Sequence, residues 1–118
     1  MAFKRGDIIM VYFDLPYSKG NDSHPAIIIS NDDVHNSDDI FICVMITSVD
    51  GKDLFSFEIE DSMLENKKNV SGQARCHLLA FVQEKQIAEK RPINTLKPNA
   101  VNRLVEKINE ISISEDID

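Results

Sequence analysis

Arg75 and His77 stand two residues apart in the stretch Ser71 to Leu79, whose composition suits a strand. A strand sends successive side chains to opposite faces, so Arg75 and His77 share one face, and Ala74, Cys76 and Leu78 the other. Arginine is a permanent cation whose donor fork matches phosphate, and histidine exchanges a proton near neutrality. A fixed cation beside a proton-transfer group is suited to work on a phosphodiester. The same pair would also decorate the wet face of an ordinary half-buried antiparallel strand, so its meaning depends on what surrounds it.

Of the other histidines, His24 precedes Pro25 at the end of a polar loop, and His35 lies among four aspartates between Asn31 and Asp39, where it reads as a solvated residue. Cys43 and Cys76 sit among apolar neighbours and read as small buried thiols rather than a bridge. Zinc-ligand spacings are missing, and the adjacent Cys76 and His77 would point to opposite faces, so no metal and no cofactor is expected.

The elements that must position these residues are mostly strands. Gly6 to Asp14 is rich in β-branched and aromatic residues and reads as the first. The polar loop Leu15 to Ser23 follows, then a short apolar strand, Ala26 to Ser30. Asn31 to Asp39 is turn-rich, with room for one helical turn at most. Ile40 to Ser48 is apolar on both faces, as a covered central strand should be, and Thr47 and Ser48 bring hydroxyls to its end. After the turn at Asp50-Gly51, Phe55, Phe57 and Ile59 alternate with Ser56, Glu58 and Glu60, predicting a strand from Leu54 to Glu60 with one wet face.

Phe81 to Ile87 is a weaker candidate for a last, short strand. From Pro98 the period changes: Val101, Leu104, Val105, Ile108 and Ile111 recur at helical spacing, leaving Arg103, Glu106, Lys107 and Glu110 to solvent. Pro98 suits a first helical turn, but Lys97 is a poor cap, which places Thr95 as an alternative start. Short strands followed by one terminal amphipathic helix predict a mainly β protein with α: a strongly bent antiparallel sheet, partly closed into a barrel, with the helix packed on it.

The 118 residues read as one domain, with an acidic tail at about 114–118 expected to be flexible. The longest apolar run, Ile40 to Ile46, is too short to cross a bilayer, and no apolar segment follows the basic residues at the N-terminus, so a cytoplasmic location is expected. A net charge of -7 argues against coating nucleic acid by bulk attraction; any such contact must be local. Lys19, Lys67 and Lys68 could form a local basic rim.

Four motifs in order, Arg5-Gly6-Asp7 opening a strand, His24-Pro25 before Ala26 to Asn31, the strand end Ile46-Thr47-Ser48, and Arg75-Cys76-His77, resemble the MazF/PemK family of toxin endoribonucleases. The resemblance implies an SH3-like barrel, a homodimer, metal-free cleavage of single-stranded RNA, and inhibition by a cognate antitoxin that wraps the toxin. Two departures stand out. The family's usual Arg-Pro is here His24-Pro25, without the paired glycines and acidic residue that normally precede it, and His77 stands where some members carry Asp. The loop arginine belongs to the family's catalytic set, so its replacement either moves proton transfer to His24 or disables the site.

Cleavage by the neighbouring 2′-hydroxyl needs a base, an acid for the leaving 5′-oxygen, and donors for the phosphorane charge, and it yields a 2′,3′-cyclic phosphate and a 5′-hydroxyl. With the resemblance in hand, His24 is the candidate base, Arg75 the phosphate clamp, and His77 the acid or a substrate orienter, the two histidine roles being exchangeable. Thr47 matches the family's strand-end hydroxyl and would donate to the phosphate; Ser48, Lys19, Lys67 and Lys68 are candidate substrate contacts. The rival reading is a non-enzymatic toxin or binding module on the same fold, gyrase-inhibitor-like, with a disabled nuclease site. Because this chain is acidic, its antitoxin should bind it through a mainly apolar or basic segment.

Overall fold

Strand β1 (Asp7–Tyr12) is buried on both faces along most of its length, because Ile8 serves one core while Ile9 and Val11 serve the other. The computed structural model describes residues 3–12, 22–48, 51–70 and 72–115. Their strands continue with β2 (Ser23–Ile28), β3 (Ile40–Thr47), β4 (Ser56–Glu58), β5 (Gln73–Gln83) and β6 (Asn94–Thr95). All pair antiparallel in one six-stranded sheet of order β4-β5-β3-β2-β1-β6. It is a curled half-barrel, the bent sheet with a C-terminal helix that the sequence predicts.

Helix α2 (Pro98–Ile108) lays Ala100, Val101, Leu104 and Ile108 on one face of the sheet, against Ile8, Ile27, Val44 and Ile46. Each large side chain buried there contributes about 1.5–3 kcal/mol. The opposite face holds a second cluster around Phe3, Ile9, Val11, Ala26, Ile28, Phe41 and Cys43. The helix begins at Pro98, with Lys97 as a cap that makes no side-chain hydrogen bond. Thr95 is therefore not its start: it lies in β6, where its hydroxyl donates to the buried Asp7 carboxylate at 2.8 Å. Lys107, expected in solvent, instead donates to the Ser56 carbonyl and ties the helix to β4.

Other boundaries differ from expectation for local reasons. β2 starts at Ser23, taking in His24 and Pro25; its ladder to β3 begins only at Ala26, so the missing N–H of Pro25 interrupts no bond there. Asn31 caps Val34 N–H, and Asp32 and Asp33 fill the first turn of a seven-residue helix, α1 (Asp32–Asp38), where one turn at most was expected. On it His35 is half-buried and stacks on Phe41, rings parallel and 4.4 Å apart, rather than standing in solvent. β5 runs on to Gln83, so Phe81 belongs to it and the expected strand from Phe81 to Ile87 is not a separate element; Ile87 makes a single bridge to Val11. Among the described residues no helix is long and apolar enough to span a membrane.

Candidate active site

β3 and β5 pair in register from Ile40↔Gln83 to Val44↔Leu79, and again at Ile46↔Ala74 and Thr47↔Gln73. Between these blocks β3 supplies Met45 alone while β5 supplies Arg75, Cys76, His77 and Leu78. This large bulge bends the strand, and its odd excess reverses the parity of the side chains. Gln73, and Arg75 at the first position of the bulge, lie on the face away from α2; from Leu78 at its last position onward, the even-numbered Leu78, Ala80 and Val82 do. The expected alternation therefore fails at Leu78, which is 45% exposed and borders the same clefts as Arg75 instead of joining Ala74 and Cys76 in the core.

Thr47 is held against β5 by a close backbone approach. Gly72 has φ +108°, and a Cβ placed there would lie 1.9 Å from the Thr47 carbonyl oxygen. Only glycine allows both the conformation and the contact. Thr47 is thereby fixed opposite Gln73, on the face that carries Met45. β2 presents His24, Ala26 and Ile28 at alternate positions, and Ala26 pairs with Met45, so the half-buried His24 belongs to this face too.

Two open clefts meet at these residues. One, of about 420 Å³, is bordered by Thr47, Gly51, Lys52, Asp53, Gln73, Arg75 and Leu78. The other, of about 360 Å³, is bordered by Met45, Ile46, Thr47, Arg75, His77, Leu78, Leu79 and Ala80. The structure thus brings Thr47, Arg75 and His77 together. Among the described residues, neither lining includes His24, Ser48, Lys67 or Lys68. Ser48 is exposed just beyond β3, and the two lysines lie on the segment after the 3-10 turn Asp61–Met63, with Lys68 N–H donating to Asp61. Lys19 and nearly all of the loop Leu15 to Ser23 lie outside the described residues.

Arg75 is already engaged. Its Nη1 and Nη2 each donate to one oxygen of Asp53 at 2.9 Å, and Nη1 also donates to Ser56 Oγ at 3.2 Å. The guanidinium, helped by the Phe55 N–H that donates to the same carboxylate, holds the Asp53 carboxyl down at about 2. Ser56 is consequently buried, not on a wet face as its place in the alternation suggested, and β4 is only three residues long. Gln73 Nε2 donates to the Gly51 carbonyl at 2.5 Å, tethering the segment that carries Asp53. Phe55 packs on His77 with ring centroids 4.2 Å apart.

Asp53, Phe55 and Gln73 were not singled out in the sequence. Asp53 had a usable signal: an aspartate two residues before Phe55, after a Gly-containing turn, is placed to accept from a backbone N–H and close a local turn. The thiols behave as core groups, burial pushing Cys43 up to about 12 and raising Cys76 as well. Among the described residues no group of three or more His, Cys, Asp or Glu is gathered as a metal site.

Solved structures share this fold at low sequence identity. An endoribonuclease in complex with its cognate antitoxin, from a mycobacterial species, is similar at TM-score 0.71 and 14% identity, over 93% of this chain and 94% of that one. MazF in a MazE-MazF crystal structure from Deinococcus radiodurans is similar at TM-score 0.72 and 12% identity, over 93% and 95%. A second mycobacterial endoribonuclease gives TM-score 0.70 and 14% identity, over 94% and 91%. No curated protein matches the sequence. Residues 4–112 match the model of the PemK-like, MazF-like toxins of type II toxin-antitoxin systems, and the chain belongs to that family.

Proposed function

We propose that this toxin is a metal-independent endoribonuclease of single-stranded RNA. One observation carries the reading: Thr47, Arg75 and His77 border a common cleft, on the sheet face to which His24 also belongs. In the proposed reaction His24 takes the proton of the 2′-hydroxyl, whose oxygen attacks phosphorus. His77 gives a proton to the departing 5′-oxygen, and Arg75 and Thr47 hold the phosphorane oxygens. The P–O5′ bond breaks as the new P–O2′ bond forms, leaving a 2′,3′-cyclic phosphate and a 5′-hydroxyl. Ser48, Lys19, Lys67 and Lys68 are assigned to the flanking RNA, outside the reacting centre.

By likeness to the antitoxin-bound relatives, a cognate antitoxin is the proposed protein partner, and a homodimer the proposed assembly. A cytoplasmic location accords with the absence of a membrane-spanning helix among the described residues. The competing reading, a gyrase-inhibitor-like binding module with a disabled nuclease site, draws on a specific observation: the fork of Arg75 is already filled by Asp53.

The test is incubation of purified protein with a long single-stranded RNA in excess EDTA, with Arg75→Ala and His24→Ala alongside and the ends mapped. Cleavage leaving 5′-hydroxyl ends, abolished in Arg75→Ala, is the expected result. Failure of the folded wild type to cleave any RNA would transfer the case to the binding module.

A further inference from the structure

We infer that the Asp53 carboxylate occupies, in the free protein, the position on Arg75 that an RNA phosphate takes, and that substrate binds by exchanging its phosphate for this carboxylate. The inference rests on the nuclease reading above. A phosphodiester offers two non-bridging oxygens that suit the same paired guanidinium donors Asp53 now uses, so Arg75 cannot hold both anions through Nη1 and Nη2. The two must exclude each other.

The geometry identifies Asp53 as the member that leaves. Its side chain is 52% exposed against 18% for Arg75, and Arg75 keeps a second contact, to Ser56 Oγ, when the carboxylate swings away. Asp53 is also the sole acidic residue among those described at the larger cleft. The cations there are Arg75 and Lys52, and Lys52 pairs with Glu58, which is outside that lining, so Asp53 is the acidic group that faces Arg75 in the cleft. The carboxylate also accepts from Phe55 N–H at 2.9 Å and from Ser56 Oγ at 3.3 Å, contacts that keep it beside the guanidinium as a competitor, while its exposed charge is screened by salt.

Exchange also confers selectivity. A tethered carboxylate competes at high effective concentration, which an isolated phosphate meets with one contact and a polynucleotide with many. In a chain of net charge -7 this keeps the site closed to free phosphate while leaving it open to RNA.

Asp53→Asn keeps the shape and removes the charge; Asp33→Asn, on the exposed surface of α1, makes the same change in net charge away from the clefts. The measurements are KM and kcat on single-stranded RNA, the inorganic phosphate concentration that halves cleavage, and the Arg75 side-chain NMR signal titrated with inorganic phosphate or with single-stranded DNA as an uncleaved polynucleotide. Asp53→Asn should lower KM and the half-inhibiting phosphate concentration by roughly two- to fivefold, with Asp33→Asn like wild type. A raised KM, a fall in kcat without a gain in phosphate sensitivity, or equal effects of the two variants would overturn the exchange. If wild type cleaves no RNA, the nuclease reading fails and the NMR titration decides alone. An Arg75 response at lower phosphate in Asp53→Asn then supports exchange, and identical titrations refute it.

Discussion

The phenyl ring of Phe55 lies on the imidazole of His77, centroids 4.2 Å apart and planes tilted by 38°. The carbonyl of Phe55 accepts from Cys76 N–H at 2.9 Å, so this ring is fixed to the backbone at the bulge while His77 itself is exposed. An exposed side chain keeps one orientation only if a neighbour restrains it, and Phe55 is that neighbour. Phe55→Ala should lower kcat on RNA by roughly three- to tenfold with a smaller change in KM, and Phe55→Tyr should restore it. The imidazole carbon-bound proton signals of His77 should shift in the first variant and return in the second. Unchanged kcat in a folded Phe55→Ala protein would remove Phe55 from the site.

Gly72 is the position where the fold is least tolerant of a methyl group. Gly72→Ala puts the new carbon against the Thr47 carbonyl in a backbone conformation that side chains disfavour, and either β5 or the end of β3 must move. A loss of about 3 kcal/mol in denaturant unfolding is expected, together with lost cleavage, because Thr47 moves with the strand end. Wild-type stability in this variant would mean that the approach is looser than described.

The Asp53–Arg75 pair makes a pH-dependent contribution whose sign is fixed. Asp53 titrates at about 2 in the folded protein, below the unfolded value, so the pair's stabilisation is fully present above the unfolded carboxyl range and is lost as pH falls through about 4 toward about 2. Thermal midpoints of wild type and Asp53→Asn should keep a constant separation from pH 5 to 8 and converge in that acid window. A separation that changed between pH 5 and 8 would point to a different titrating group.

Both thiols should be unreactive in the native protein. Cys43 is fully buried with its pKa pushed up to about 12, and Cys76, also buried, is raised in the same direction. At pH 8 a chromogenic disulfide reagent should label neither in the folded chain and both after unfolding in guanidinium. Rapid labelling of one thiol before unfolding would show that its strand opens locally.

Much of the architecture was legible because hydrophobic period is a local property. The stretch Ile40 to Ser48 declared a central strand covered on both sides, and β3 lies between β2 and β5 with Val44 and Ile46 in one core and Phe41 and Cys43 in the other. The spacing of Val101, Leu104, Val105 and Ile108 declared a helix with one apolar face, and α2 packs that face on the sheet. Boundaries went astray where a cap or a partner strand decided them. Asn31 extended a turn into α1, and pairing with β3 carried β5 past Leu79 to Gln83.

Residue types by themselves determined that this chain holds a permanent cation and imidazoles at strand-like positions, in the motif order of its family. What surrounds Arg75 was decided by tertiary structure. Asp53 is twenty-two residues away in sequence and reaches the guanidinium only because β4 pairs with β5 at Ser56↔Arg75. The side on which Leu78 emerges was likewise set elsewhere, by the mismatch of β5 with β3. Alternation predicts a face only while two strands advance together; where one runs ahead by an odd number of residues, every side chain beyond changes sides, and only the pairing records it.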